Sequence, residues 1–173
     1  EKGWEVGNGE ITVLKSDGGE STNGGDIITR DQYAAFDLSF EFKLTPGANS
    51  GVKYFVTLKE QTSGSAIGLE YQILDDERHP DAKMGRDGNR TLASLYDLIT
   101  SKEDRRARRP IGEWNRGRVR VSEDGTVTHY LNGVKMVEYK RGSQDYLDLV
   151  AKSKYKDWDN FGGASQGHIL LQD

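Results

Sequence analysis

Phe36-Asp37-Leu38-Ser39-Phe40-Glu41-Phe42-Lys43-Leu44 alternates apolar and polar residues without a break and ends at Pro46-Gly47. Successive side chains of a strand point to opposite faces, so this period of two reads as a half-buried strand closed by a turn. The same grammar recurs along the chain. Residues 51–58 and 66–74 read as strands divided by the turn Thr62-Ser63-Gly64-Ser65, and residues 117–122 and 126–131 as strands divided by Glu123-Asp124-Gly125. Asn132-Gly133 is a strong two-residue hairpin signal, with 134–139 as the returning strand. Residues 11–14 and 167–172 supply strands near the two ends. Helix is expected only at 91–99 and at 146–154. Many short strands with turns between them, and 21 glycines to make the turns, predict an antiparallel two-sheet jelly-roll sandwich in a single domain over 1–173.

Composition narrows the function classes. The chain has 173 residues, 34% hydrophobic, a formal net charge of -4 and no cysteine. Disulfide and thiol chemistry are therefore absent. The acidic balance argues against a general nucleic-acid binder, and no apolar run approaches the roughly 20 residues of a membrane span. Arg105-Arg106-Ala107-Arg108-Arg109 is the exception in charge; without interleaved aromatic residues it reads as a solvated loop.

The run Gly68-Leu69-Glu70-Tyr71-Gln72-Ile73-Leu74-Asp75-Asp76 carries the chemistry. Leu69, Tyr71 and Ile73 project to one face, Glu70, Gln72 and Leu74 to the other, and Asp75, Asp76 and His79 follow in the loop. If the apolar members of each strand pack between the sheets, Glu41, Lys53, Glu70 and Gln72 all face outward. That set defines either a polar cleft or an ordinary solvated face in which Glu41 and Glu70 pair with Lys53. The same phase points His129 inward, as a hydrogen-bonded core histidine. Trp114, at a strand entry, reads as core packing. Tyr96 is equally a core aromatic or a substrate contact. His79 before Pro80 reads equally as a residue that shapes a turn, and Asn49-Ser50-Gly51 is a good turn sequence whatever its function.

Several ordered motifs then resemble one family. They are Gly47-Ala48-Asn49-Ser50-Gly51-Val52, the strand of residues 68–75, His79-Pro80-Asp81-Ala82, and Ala93-Ser94-Leu95-Tyr96-Asp97. Gly112-Glu113-Trp114-Asn115, His129-Tyr130-Leu131-Asn132-Gly133 and Gly167-His168-Ile169-Leu170-Leu171-Gln172-Asp173 continue the series. Together they resemble the 3-keto-disaccharide hydrolase domain, described as 3-keto-glucoside 1,2-lyase and 3-keto-2-hydroxyglucal hydratase. The resemblance implies a concanavalin-like jelly roll and an exported protein, periplasmic or secreted, with its signal sequence removed. It also implies a continuation past Gln172-Asp173 by a His-Gly turn and a strand, so residues 1–173 are expected to lack a final C-terminal strand.

The expected chemistry follows from the substrate. A ketone at carbon 3 acidifies the hydrogen on carbon 2; a base removes it, and the enolate expels the group on carbon 1. Glu70, Asp75 and His79 are the candidate acid-base residues, and the same three are candidate ligands for a divalent metal ion. Asn49, Gln72 and Glu41 are candidate sugar contacts, and Lys53 or Tyr96 candidate donors to the enolate. A glucanase of related fold would carry an acid-x-acid-x-x-acid strand. Here Gln72 stands at the middle place, so that set is incomplete. A non-catalytic carbohydrate-binding module is the remaining alternative, disfavoured by a face rich in ionisable groups rather than aromatic platforms.

Overall fold

The computed structural model describes residues 3–15, 24–58 and 66–173. The strands are β1 (Trp4–Gly7), β2 (Glu10–Val13), β3 (Ile27–Ile28), β4 (Phe36–Lys43), β5 (Asn49–Val56) and β6 (Leu69–Leu74). After a loop region come β7 (Trp114–Val121), β8 (Thr126–Leu131), β9 (Val134–Lys140), the helix α1 (Gln144–Ala151) and β10 (His168–Leu171). Two four-stranded antiparallel sheets, ordered β3-β10-β5-β6 and β4-β7-β8-β9, face each other; β1 and β2 form a separate hairpin. The antiparallel sandwich expected from the alternation is therefore what the chain forms.

The period of two sets what lies between the sheets. Leu69, Tyr71 and Ile73 join Val52 and Tyr54 in one cluster with Phe42, Val119, Val127 and Leu131 of the opposite sheet. Aromatic edges tie the layers: Phe40 meets Tyr71 at 5.2 Å between centroids, and Phe36 meets Tyr54 at 6.1 Å. Gly117 lies directly opposite Phe40 in the β4–β7 register, and a Cβ there would sit 2.4 Å from the Phe40 ring. The glycine makes room for that ring. Asn132-Gly133 forms the hairpin as expected, with both residues at positive φ. The Asn132 amide also donates to the Ala107 carbonyl and to Asn115 Oδ1, fastening the long loop to the hairpin.

His129 is fully buried in this core. Its Nδ1–H donates to the Ala93 carbonyl at 3.0 Å, so Nε2 accepts from the Tyr54 hydroxyl at 2.8 Å. Tyr54 in turn accepts from Tyr139. Burial holds the imidazole pKa down at about 4, so it is neutral at pH 7. The reading of His129 as a satisfied core histidine agrees with these contacts.

Three expectations are corrected. Residues 91–99 form no helix; they run as turns in which Leu95 bridges both Tyr71 and Ile99. Asn49-Ser50-Gly51 is no turn, because all three residues open β5 and the turn is made by Gly47 at φ +75°. Trp114 is 42% exposed, with the Lys43 ammonium 4.9 Å from its ring centroid, rather than in the core. The expected turn at 62–65 lies outside the described residues. Helix does form where 146–154 was expected, as α1 at Gln144–Ala151, beginning two residues earlier because Ser143 accepts from the Tyr146 N–H.

Candidate functional site

Lys53 of β5 and Glu70 of β6 are directly opposite in the register, as are Gly51 and Gln72. Opposed residues of an antiparallel pair share a face, so these four stand together on the side of the sheet turned from the core. Glu70 is 5% exposed, and its carboxylate lies 4.0 Å from the Lys53 ammonium, which also donates to the Ala66 carbonyl. A Cβ at Gly51 would fall 2.2 Å from Glu70 Oε1. The missing side chain is what lets the Glu70 carboxylate lie across β5. A buried ion pair is weak support for stability, since desolvation offsets its attraction.

The segment 93–96 runs along the free edge of β6. Ala93 N–H donates to the Gln72 carbonyl, Gln72 N–H to the Ser94 carbonyl, and Tyr96 N–H to the Glu70 carbonyl. This pairing covers an edge strand and brings Tyr96 beside Glu70. Burial holds the Tyr96 hydroxyl well above its ordinary pKa, and the charges of Asp81 and Glu70 push the same way against Arg90. Tyr96 is thus a neutral phenol, able to donate. Two cations lie over its ring, Arg90 at 5.2 Å and Lys154 at 4.7 Å from the centroid. Arg90 bonds Asp81 at 2.8 Å and Asp97 at 2.7 Å. Burial opposes the Arg90 charge, but those two bonds outweigh it and raise its pKa. Asp97 is also tied through its second oxygen to the Lys154 backbone N–H at 2.7 Å, across 57 residues of sequence.

The remaining sequence candidates separate. Gln72 is fully buried under residues 90–94, its amide donating to the Arg90 carbonyl and accepting from the Ile73 N–H, which leaves it holding the loop rather than meeting a sugar. Asp75 accepts from Gly47 N–H at 2.8 Å, from Glu77 and Arg78 N–H, and from the Arg78 guanidinium. The Gly47 N–H foremost, with Arg78, holds its pKa down against burial, so Asp75 is an ionised clamp between two turns. His79 caps the short 3₁₀ turn Pro80–Lys83, its Nδ1 accepting from Asp81 N–H at 3.2 Å. Among the described residues no three His, Asp or Glu side chains converge as metal ligands, so Glu70, Asp75 and His79 are not assembled into the expected set. Glu41 is exposed on β4, opposite Arg116 in the other sheet, and shares no face with Lys53 or Glu70. Asn49 is exposed at the start of β5, paired with Leu74 two positions from Gly51. In the arginine cluster, Arg108 bonds Asp76 at 2.6 Å and Arg106 bonds Asp104, while Arg105 and Arg109 are exposed, as a loop requires.

Asp81 and Asp97 lie inside two of the motifs quoted above, whereas Arg90 and Lys154 carry no local pattern that marks them for this site. Only the covering of β6 by residues 93–96 gathers them.

These features belong to a recognisable class: an antiparallel sandwich bearing a buried carboxylate–ammonium pair on the outer face of one sheet. The chain belongs to the family of 3-keto-alpha-glucoside-1,2-lyase-like domains, which it matches over residues 1–173. It is 36% identical over 191 aligned residues to a protein of Bacteroides thetaiotaomicron named 3-keto-disaccharide hydrolase, an alignment that takes in 98% of this chain. The chain spans 65% of the length of that relative. A crystal structure from Parabacteroides distasonis, provisionally named a glycosyl hydrolase, superposes with a TM-score of 0.80 at 27% identity, covering 99% of this chain and 77% of the other. A second structure from that organism, similarly named, gives 0.71 at 23% identity over 98% and 81% of the two chains, a likeness of fold.

Proposed function

We propose that this chain cleaves 3-keto-glucosides, with Glu70 as the base that takes the proton from carbon 2. The single observation that carries the reading is the Glu70–Lys53 pair above Gly51, supported by membership in the family and by the name of the Bacteroides relative. Removal of the carbon-2 proton places negative charge on the carbon-3 oxygen. A fixed ammonium and a neutral phenol near that oxygen stabilise the enolate, the roles given to Lys53 and Tyr96. The electron pair then forms the carbon 1–carbon 2 double bond as the group on carbon 1 leaves with a proton. Water adds at carbon 1 of the resulting enone and a proton returns to carbon 2, giving net hydrolysis. No glycosyl-enzyme intermediate is required, so the single carboxylate of the 70–75 strand face suffices where a glucanase needs two.

The test is incubation with a 3-keto-disaccharide in D₂O, with and without an added divalent ion. The expected product is a 3-keto sugar that carries deuterium at carbon 2 above the level acquired by free product under the same conditions. Glu70→Gln is expected to lower kcat/KM by about 10²–10⁴-fold. Cleavage without deuterium incorporation would sink the elimination route. Sugar binding without turnover would make the chain a binding module, and turnover of unoxidised glucan a glucanase.

A further inference from the structure

Two neighbours of Tyr96, Arg90 and Lys154, also line an open cavity of about 220 Å³ that the chemistry at Glu70 does not use. Its wall is one-sided in charge. Arg86, Arg90, Lys152 and Lys154 line it against one acid, Asp97. The Asp97 oxygens are occupied by Arg90 Nε and the Lys154 backbone N–H, and Arg90 is further neutralised by Asp81. Arg86, Lys152 and Lys154 have no carboxylate partner among the described residues. On a chain of net charge -4, this is a local concentration of cations.

The neutral part of the wall points the same way. Asn89 lines the cavity and is 6% exposed. Its Oδ1 accepts the Arg86 backbone N–H at 2.9 Å, which fixes the amide orientation and makes Nδ2 the other end. Among the described residues Nδ2 has no acceptor, and it is not sealed from solvent. The amide fits only because residue 85 is glycine: a Cβ there would lie 2.4 Å from Asn89 Oδ1 and 3.0 Å from Arg90 Nε, at φ +75°. The Arg86 guanidinium already donates through Nη2 to the Lys152 carbonyl at 2.7 Å, which holds it at the wall. The cavity therefore offers an amide N–H₂, two ammonium groups and the remaining N–H groups of that guanidinium, nearly all positive. Such a lining suits an oxyanion, and charge-assisted bonds of this kind are the stronger ones.

We infer that this cavity holds a carboxylate or sulfate group on the aglycone of the substrate cleaved at Glu70, making the chain selective for anionic glycosides. The inference rests on the reading of Glu70 as the site of chemistry, since Tyr96 links Glu70 to the cavity wall. Lys154 Nζ lies 3.5 Å from the Tyr96 hydroxyl, so an anion bound there would sit one residue from the reacting sugar.

Two measurements separate this inference from the function itself. The first titrates the intact chain at low salt with unoxidised 4-carboxyphenyl glucoside, 4-sulfatophenyl glucoside and the neutral methyl ester of the former, following binding by NMR. At least one anionic glucoside is expected to bind 10-fold or more tightly than the ester. Lys152→Glu, Arg86→Glu and Asn89→Asp are each expected to abolish that preference; the first two are at exposed positions, and Asn89→Asp keeps the acceptor for Arg86 N–H. Equal binding of all three probes would overturn the inference. The second compares kcat/KM for the 3-keto forms of the same glucosides. A 10-fold anionic preference, lost in Lys152→Glu, supports the inference. Turnover without preference would reject the cavity and leave Glu70 standing, whereas preferential binding without turnover of any form would reject Glu70 and leave the cavity.

Discussion

A carboxylate 5% exposed beside an ammonium at 4.0 Å behaves differently when each partner is removed. Lys53→Met leaves Glu70 as a buried charge without its opposed cation and should destabilise the fold by about 3–5 kcal/mol, whereas Lys53→Met with Glu70→Gln should recover most of that loss. Urea unfolding of the two variants checks this; equal stability of both would show that the pair is not energetically coupled. Gly51→Ala separates structure from alignment. The new Cβ displaces the flexible end of Glu70, so thermal stability should move little while activity falls about 10²-fold from misplacement of the base. His129 makes a pH prediction. Its folded pKa of about 4 lies below the unfolded 6.5, so between these values the unfolded chain binds more protons. Stability from this residue is thus full above pH 6.5 and lost as pH falls toward 4, by roughly 3 kcal/mol. Urea midpoints at pH 7 and pH 4.5 should differ more for the wild type than for His129→Gln; parallel shifts would contradict it.

At the scale of the element, glycines decide which strands can lie close. Gly117 on β7 receives the Phe40 ring of β4, and Phe40 in turn packs on Tyr71 of the other sheet. Gly117→Val would drive a branched side chain into that ring and should destabilise by about 1–3 kcal/mol, read as a fall in Tm; an unchanged Tm would mean that Phe40 has room to move. The strand β6 shows why element type is easier to read than element neighbours. Its alternation assigned Leu69, Tyr71 and Ile73 to the core, and they are there. The same alternation took Gln72 for a surface contact, because nothing local announces that residues 90–94 fold back over it.

For the whole molecule, the loop between β6 and β7 is held by charged bonds as well as by its backbone pairing along β6. Asp97 joins Arg90 on one side to the chain after α1 on the other. Asp97→Asn removes a charge from both contacts. It should raise amide hydrogen exchange across residues 89–97 while β8 and β9 stay protected, since local opening follows local stability. Unchanged exchange in the loop would show that Asp97 does not fasten it.

The sequence by itself determined the layers of this protein. Strand phase depends on neighbours two residues apart, so Phe36, Phe40, Tyr71, Val119 and Leu131 were legible as the inner faces, His129 as a core residue, and Asn132-Gly133 as a hairpin. It also put Lys53 and Glu70 on outward faces, without showing that they oppose each other. Tertiary structure alone decided the rest. Glu41 fell to the opposite sheet, Asp75 was tied to Gly47 28 residues away, and Arg90, Tyr96, Asp97 and Lys154 were gathered from positions up to 64 residues apart. Register between distant strands and the path of a long loop are set by long-range packing and charge, which leave no periodic trace in the residues that obey them.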